Sequence, residues 1–118
     1  MKTIEKYIDS IKTNVAFKVG GNANENTQLV LDSAPTDIWF HIADHSSCHV
    51  VADISNVSID IDKKALAKIV TQGAVICKQF SRQKSDKNVA VIYTKIENVT
   101  PTDIPGRVTT TSSKTICI

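Results

Sequence analysis

Between Asp60 and Ser81 the apolar residues Leu66, Ile69, Val70, Gly73, Cys77 and Phe80 recur at three- and four-residue spacing, the period of one face of an α-helix. A helix with one apolar stripe has to bury it against another layer, so the rest of the chain must supply that layer. Asp60 or Asp62 can start the helix by accepting bonds from its free amide groups. At about 100° per residue, Lys64, Lys68, Thr71, Lys78 and Arg82 fall together on the opposite side. No acidic residue stands between Lys63 and Arg82, so core lies on one side and positive charge on the other.

The covering layer reads as β-sheet. Thr3, Glu5 and Tyr7 interleave with Ile4, Lys6 and Ile8, and AFKV at 16–19 is equally β-prone, which predicts two opening strands, with a short N-terminal helix as the alternative. Gly20, Gly21, Asn22, Ala23 and Asn24 tolerate left-handed backbone, and Glu25 to Leu31 then predicts a short helix ended by Pro35. DIWFHI at 37–42 and CHVVADI at 48–54 are rich in β-branched and aromatic residues and predict neighbouring strands joined by a tight loop. NVAVIYTKI at 88–96 is nearly all apolar through Tyr93, the mark of a central strand. The Pro101 to Pro105 region predicts a loop and Gly106 a turn, after which RVTTT and KTICI predict a hairpin across Ser112 and Ser113. The fold class is therefore α+β, with a mainly antiparallel sheet of about six or seven strands, one long helix and one short one.

Length and composition fit a single domain over residues 1–118. The chain has 118 residues, 42% of them hydrophobic and 22% charged, near the average of folded proteins and far from disordered or collagen-like sequences. The opening MKTIEKYIDSIK breaks its apolar residues with charges, so neither a signal peptide nor a membrane span is expected, and the cytoplasm is the expected location. Cys48, Cys77 and Cys117 form an odd set without close pairing in sequence, which suggests small buried residues rather than a disulfide framework or a zinc site. A formal charge of +2 is too small to imply a polyanionic partner; the basic helix side is the stronger sign.

The densest group of chemically useful residues lies in the middle of the chain. Trp39 and His41 are two apart on a strand and share a face, while Phe40 and Ile42 share the other. If the latter pair is core, the former is at least partly reachable: Trp39 either stacks on an unpaired base or packs as core. His41 and His49 can meet across the hairpin, with Ser46 and Ser47 beside them, as a polar patch suited to phosphate or ribose. Asn24 and Asn26 can bond a base or ribose, although turn and cap chemistry explains them as well.

The histidines at 41, 45 and 49, near Asp37, Asp44 and Cys48, raise a metal reading, since four-residue spacing puts ligands on one face of a helix. In strand-like sequence only His41 and His49 converge, so no metal or other cofactor is expected. No nucleophile elbow, phosphate loop or spaced carboxylate pair is present, and a Ser47, His49 and Asp37 set lacks any visible oxyanion site. The chain is therefore read as non-catalytic, with a metal-dependent enzyme using His41 and His49, or a protein-interaction module using a sheet edge, as the alternatives.

GGNANEN at 20–26, DIWFHI at 37–42, SSCHV at 46–50, VAVIYT at 89–94 and PGRV at 105–108 occur in the order seen in the NFACT-R domain, which the chain resembles from about Val15 onward. That domain is the RNA-binding module of large factors that rescue stalled ribosomes, and small eukaryotic coiled-coil proteins carry it nearly alone. The resemblance implies a stand-alone nucleic-acid-binding domain; the partner expected is RNA, either tRNA or ribosomal RNA, with DNA and association with the ribosome left open. The site expected from the residues is Trp39, His41, Ser46, Ser47, His49, Asn24 and Asn26, joined to Lys64, Lys68, Lys78 and Arg82 if packing makes them adjacent.

Overall fold

Strand β3 (Ile38–Ile42), the most completely buried strand, organises the molecule because its alternate residues serve two different cores. The computed structural model describes residues 1–57 and 60–118. The strands β1 (Lys2–Ile8), β2 (Thr13–Val19), β3, β4 (Val50–Asp53), β5 (Ala90–Lys95) and β8 (Lys114–Cys117) form a six-stranded sheet of order β1-β2-β4-β3-β5-β8. Every pairing in it is antiparallel. Two short strands, β6 (Val99–Pro101) and β7 (Val108–Thr110), make a separate antiparallel ribbon. With α1 (Ala23–Asp32) and the longer α2 (Lys63–Gln79), this is the α+β arrangement that the sequence predicts. Among the described residues no helix is long and apolar enough to cross a membrane.

Helix boundaries follow their caps. Asn22 Oδ1 accepts from Glu25 N at 2.9 Å to start α1, and Asp62 Oδ1, rather than Asp60, accepts from Ala65 N at 2.8 Å to start α2. Each side chain satisfies an amide that has no partner inside its helix. The buried stripe of α2 begins at Ala65 and runs through Ile69, Val70, Gly73, Ala74, Ile76 and Cys77. Leu66, expected on that stripe, is 37% exposed, so in the first turn the small Ala65 makes the close contact with the sheet.

Phe40 and Ile42 point into the core beneath α2, together with Val15, Phe17, Val50, Ala52 and Val91. The Phe40 ring, fully buried, lies directly against Gly73, where any Cβ would collide with three of its ring carbons. Trp39 points to the opposite face and joins Leu29 and Val30 of α1 with Val51, Ile96 and Val99. Strand alternation therefore places α1 and the β6–β7 ribbon on one side of the sheet and α2 on the other.

The C-terminal segments depart from expectation. RVTTT and KTICI do not pair with each other: β7 pairs back with β6, Val99 opposite Thr110, and β8 joins the sheet edge beside β5, Ala90 opposite Cys117. Their apolar residues belong to different cores. Val108 packs on the Trp39 cluster and Ile116 on the Phe40 core, and a hairpin between the two segments would leave one of them uncovered. At the N-terminus the two predicted strands form, joined by a 3-10 turn at Asp9–Ile11 in place of a longer helix.

The tight Phe40–Gly73 contact gives a test. Alanine in place of glycine within a helix gains about 1 kcal/mol of propensity, but overpacking a filled core costs roughly 1–3 kcal/mol. Because a Cβ would run into the ring, Gly73→Ala is expected to lower stability by up to about 2 kcal/mol in denaturant titration. A raised midpoint would show that the ring moves aside freely.

Candidate nucleic-acid interface

Around Trp39 the structure builds a polar knot. The Trp39 Nε1–H donates to His49 Nδ1 at 3.1 Å. The His49 backbone N–H donates to Asn26 Oδ1 at 3.1 Å, and its carbonyl accepts from Gly20 N at 3.0 Å. One histidine thus ties β4 to β3, to α1 and to the end of β2. Gly20 has to be glycine here, because a Cβ would run into Asn26 Oδ1. The turn between β6 and β7 docks on the same knot: Gly106 has φ +80°, its N–H donates to Thr27 Oγ1 at 2.7 Å, and a Cβ would come within 3.0 Å of Ala23 Cα.

Trp39 and His49 are each only 1% exposed, so the accessibility expected for them is corrected: the indole is core beneath α1, and His49 is a brace. His41 and His49 do meet across the β3–β4 connection, as expected, with ring centroids 5.2 Å apart and planes at 84°. His41 is half-buried, and its ring lies parallel to the indole at 5.6 Å and 7°. It is the one ring of the three with substantial access to solvent.

Burial sets the charge of these rings. Desolvation, then the neighbouring His41, pushes the His49 pKa down from 6.5 to about 4, with the Gly106 backbone acting weakly the other way. Desolvation also lowers that of His41, against a smaller opposing contact with the Ile42 backbone. Both imidazoles are therefore neutral near pH 7 and act as flat, polar rings rather than cations.

His41 lies on the floor of an open groove of about 1190 Å³ at one end of the sheet. Lys2, Arg82 and Arg107 line it, as do His45 and Ser46 of the β3–β4 loop, and so do the acidic Glu25 and Asp44. Glu25 is turned inward to accept from Gly21 N at 2.8 Å, and that bond, the largest influence on it, holds its carboxyl below the ordinary range. Among the described residues no ion pair engages Lys2, Arg82 or Arg107; the Lys2 ammonium sits 5.0 Å above the Phe80 ring.

The other expected site residues are dispersed. Ser47 Oγ accepts from Ile42 N at 3.1 Å and donates to the Cys48 carbonyl at 3.0 Å, bracing its own loop. Asn26 is buried in the knot, and Asn24 is exposed on α1 without lining the groove. Lys64 and Lys68 are exposed on α2, across the sheet from His41, and Lys78 donates to the Ile118 carbonyl at 3.1 Å. The expected joining of the imidazole patch to the cationic helix side fails for all but Arg82, which follows the end of α2 and reaches the groove. Asp37, considered beside Ser47 and His49, instead accepts from Ala34, Ile54 and Ser55 N–H groups. Among the described residues no group of three His, Cys, Asp or Glu side chains is placed to hold a metal ion.

Two groove cations were not singled out from sequence. Arg107 had a visible signal, since it follows Pro105 and Gly106 in a turn, where an exposed basic residue is held by rigid backbone. Lys2 had none: its position depends on β1 pairing with β2, Lys2 opposite Val19.

The buried neutral His49 makes stability depend on pH. A histidine whose folded pKa lies below its unfolded value takes up protons on unfolding, so stability falls as pH drops from 6.5 toward 4. The loss expected from His49 across that window is on the order of 3 kcal/mol, and His41 adds to it in the same direction. Thermal melts of the wild type and His49→Gln should show a shallower pH slope in the variant. Trp39→Ala should cost about 3–5 kcal/mol, as for other large core truncations; a fully stable variant would return the indole to the surface.

No curated protein matches the sequence. The solved C-terminal part of the fibronectin/fibrinogen-binding protein from Streptococcus suis is similar over 100% of this chain and 45% of its own, with a TM-score of 0.77 and 22% identity. This chain therefore spans less than half of that one, and at such identity the likeness is one of fold. The family described as the NFACT protein RNA binding domain matches residues 6–114, which includes the polar knot and all of the groove lining except Met1 and Lys2. This chain belongs to the NFACT RNA-binding domain family and is a nucleic-acid-binding module.

Proposed function

We propose that the chain binds RNA of the translation apparatus, tRNA or ribosomal RNA, and that the groove at the end of the sheet takes an unpaired stretch of it. The observation that carries this reading is the half-exposed, neutral His41 ring on the groove floor, held flat against Trp39, with Lys2, Arg82 and Arg107 on the rim. A neutral ring offers a stacking face and a hydrogen-bonding nitrogen to a base. The rim cations are placed for the flanking phosphates. Bases in a continuous duplex are already stacked on one another, so a floor of this kind favours loops and ends.

Fluorescence anisotropy with tRNA, single-stranded RNA and duplex DNA at two salt concentrations tests the proposal. Single-stranded RNA and tRNA should bind more tightly than duplex DNA. Arg82→Glu with Arg107→Glu should weaken binding and flatten its salt dependence, each lost phosphate contact lowering the logarithmic slope by about 0.7. His41→Ala should cost about 1–3 kcal/mol if one base stacks there. Lys64→Glu with Lys68→Glu, across the sheet, should leave the slope unchanged; a fall would make the α2 face a second phosphate contact. A chain that ignored all three nucleic acids at low salt would favour strand addition at the open edges, β1 or β8.

A further inference from the structure

Two of the three cysteines, distant in sequence, are paired in space. Cys48 Sγ lies 3.8 Å from the Cys77 carbonyl oxygen, and Cys77 Sγ lies 3.8 Å from the Cys48 carbonyl oxygen. Each side chain therefore reaches across toward the other backbone, so the two thiols are neighbours, and a disulfide between them would bring their Cβ atoms to about 3.5–4.5 Å. Cys77 is buried in the last turns of α2, and Cys48 is half-buried and lines the groove between Ser47 and His49. Cys117 is exposed at the sheet edge on β8.

We propose that Cys48 and Cys77 form a reversible oxidation site, in which a low-molecular-weight disulfide converts the two thiols into one bond between the β3–β4 connection and the end of α2. Cys48, the accessible partner, attacks a sulfur of glutathione disulfide; a mixed disulfide forms and one glutathione thiolate leaves, taking up the Cys48 proton. Cys77 then attacks the Cys48 sulfur, and the second glutathione leaves with the Cys77 proton. In total, two protein thiols and one glutathione disulfide become one protein disulfide and two glutathione thiols.

The environments suit this order. The Cys77 thiol stabilises the Cys48 thiolate by hydrogen bonding and lowers its pKa, whereas the Cys77 thiol is raised first by that same bond, then by burial and by the charge of Cys48. Once Cys48 carries glutathione it has no thiolate charge, so two of the three influences that hold the proton on Cys77 disappear. The new bond would fasten the loop bearing His45 and Ser46 to α2 and so stiffen one rim of the groove. This inference does not depend on the groove binding RNA.

The test uses the full chain with Cys117→Ser, which removes the exposed thiol. After incubation with glutathione disulfide and acid quenching, the intact mass should fall by two hydrogens with no glutathione attached. Peptide mapping should find Cys48 linked to Cys77, and the melting temperature should rise. In the chain that also carries Cys77→Ser, glutathione should remain trapped on Cys48. Glutathione persisting on Cys48 while Cys77 stays free, or two thiols left unreacted under conditions that fully modify Cys117 in the wild-type chain, would overturn the proposal.

Discussion

The contact of the Phe40 ring with Gly73 determines which face of the sheet each helix covers. A fully buried phenylalanine contributes about 1.5–3 kcal/mol of burial, and here the missing side chain at Gly73 lets α2 come down onto the ring. With Phe40 and Ile42 committed to that side, the pleat directs Trp39 and His41 to the other. Everything on the groove side follows: α1 and the β6–β7 ribbon cover Trp39, and His41, one step further along β3, is left at the edge of that cover.

On the groove side the organising element is polar. His49 uses its ring nitrogen, amide and carbonyl on three different segments, and a buried group so fully bonded gives the core a single arrangement. Its neutrality is a condition of that arrangement, because a charged imidazole here would be desolvated beside His41. The knot holds His41 flat against the indole and anchors the turn that carries Arg107. The aromatic residue that looked most suited to touching a ligand thus acts as support, and its neighbour offers the surface.

Much of the fold was legible in sequence because periodicity is a local property. The stripe of α2, its cap near Asp62 and the alternation of β3 are each set by their own residues, and the structure places them accordingly, whereas β5, read as central from its apolar run, lies next to the edge strand β8 and is only partly buried. The pairing of the last strands was less legible, since Val108 and Ile116 look alike in sequence and differ only in which core has room for them. The site was partly legible for the same reason. The imidazole pair could be inferred from a hairpin, whereas Lys2 enters the groove through strand pairing alone.

By itself the sequence determined the elements, the two faces of β3 and the segregation of charge along α2, all of which follow from side-chain direction within a single helix or strand. Only tertiary structure decided which cations stand beside His41. That depends on which layer covers which face, and the sheet, lying between α2 and α1, puts Lys64 and Lys68 on one side and the groove on the other. It also decided that Cys48 and Cys77 meet, because their separation of 29 positions is closed by packing the end of α2 against the β3–β4 connection and by nothing in their own neighbourhoods.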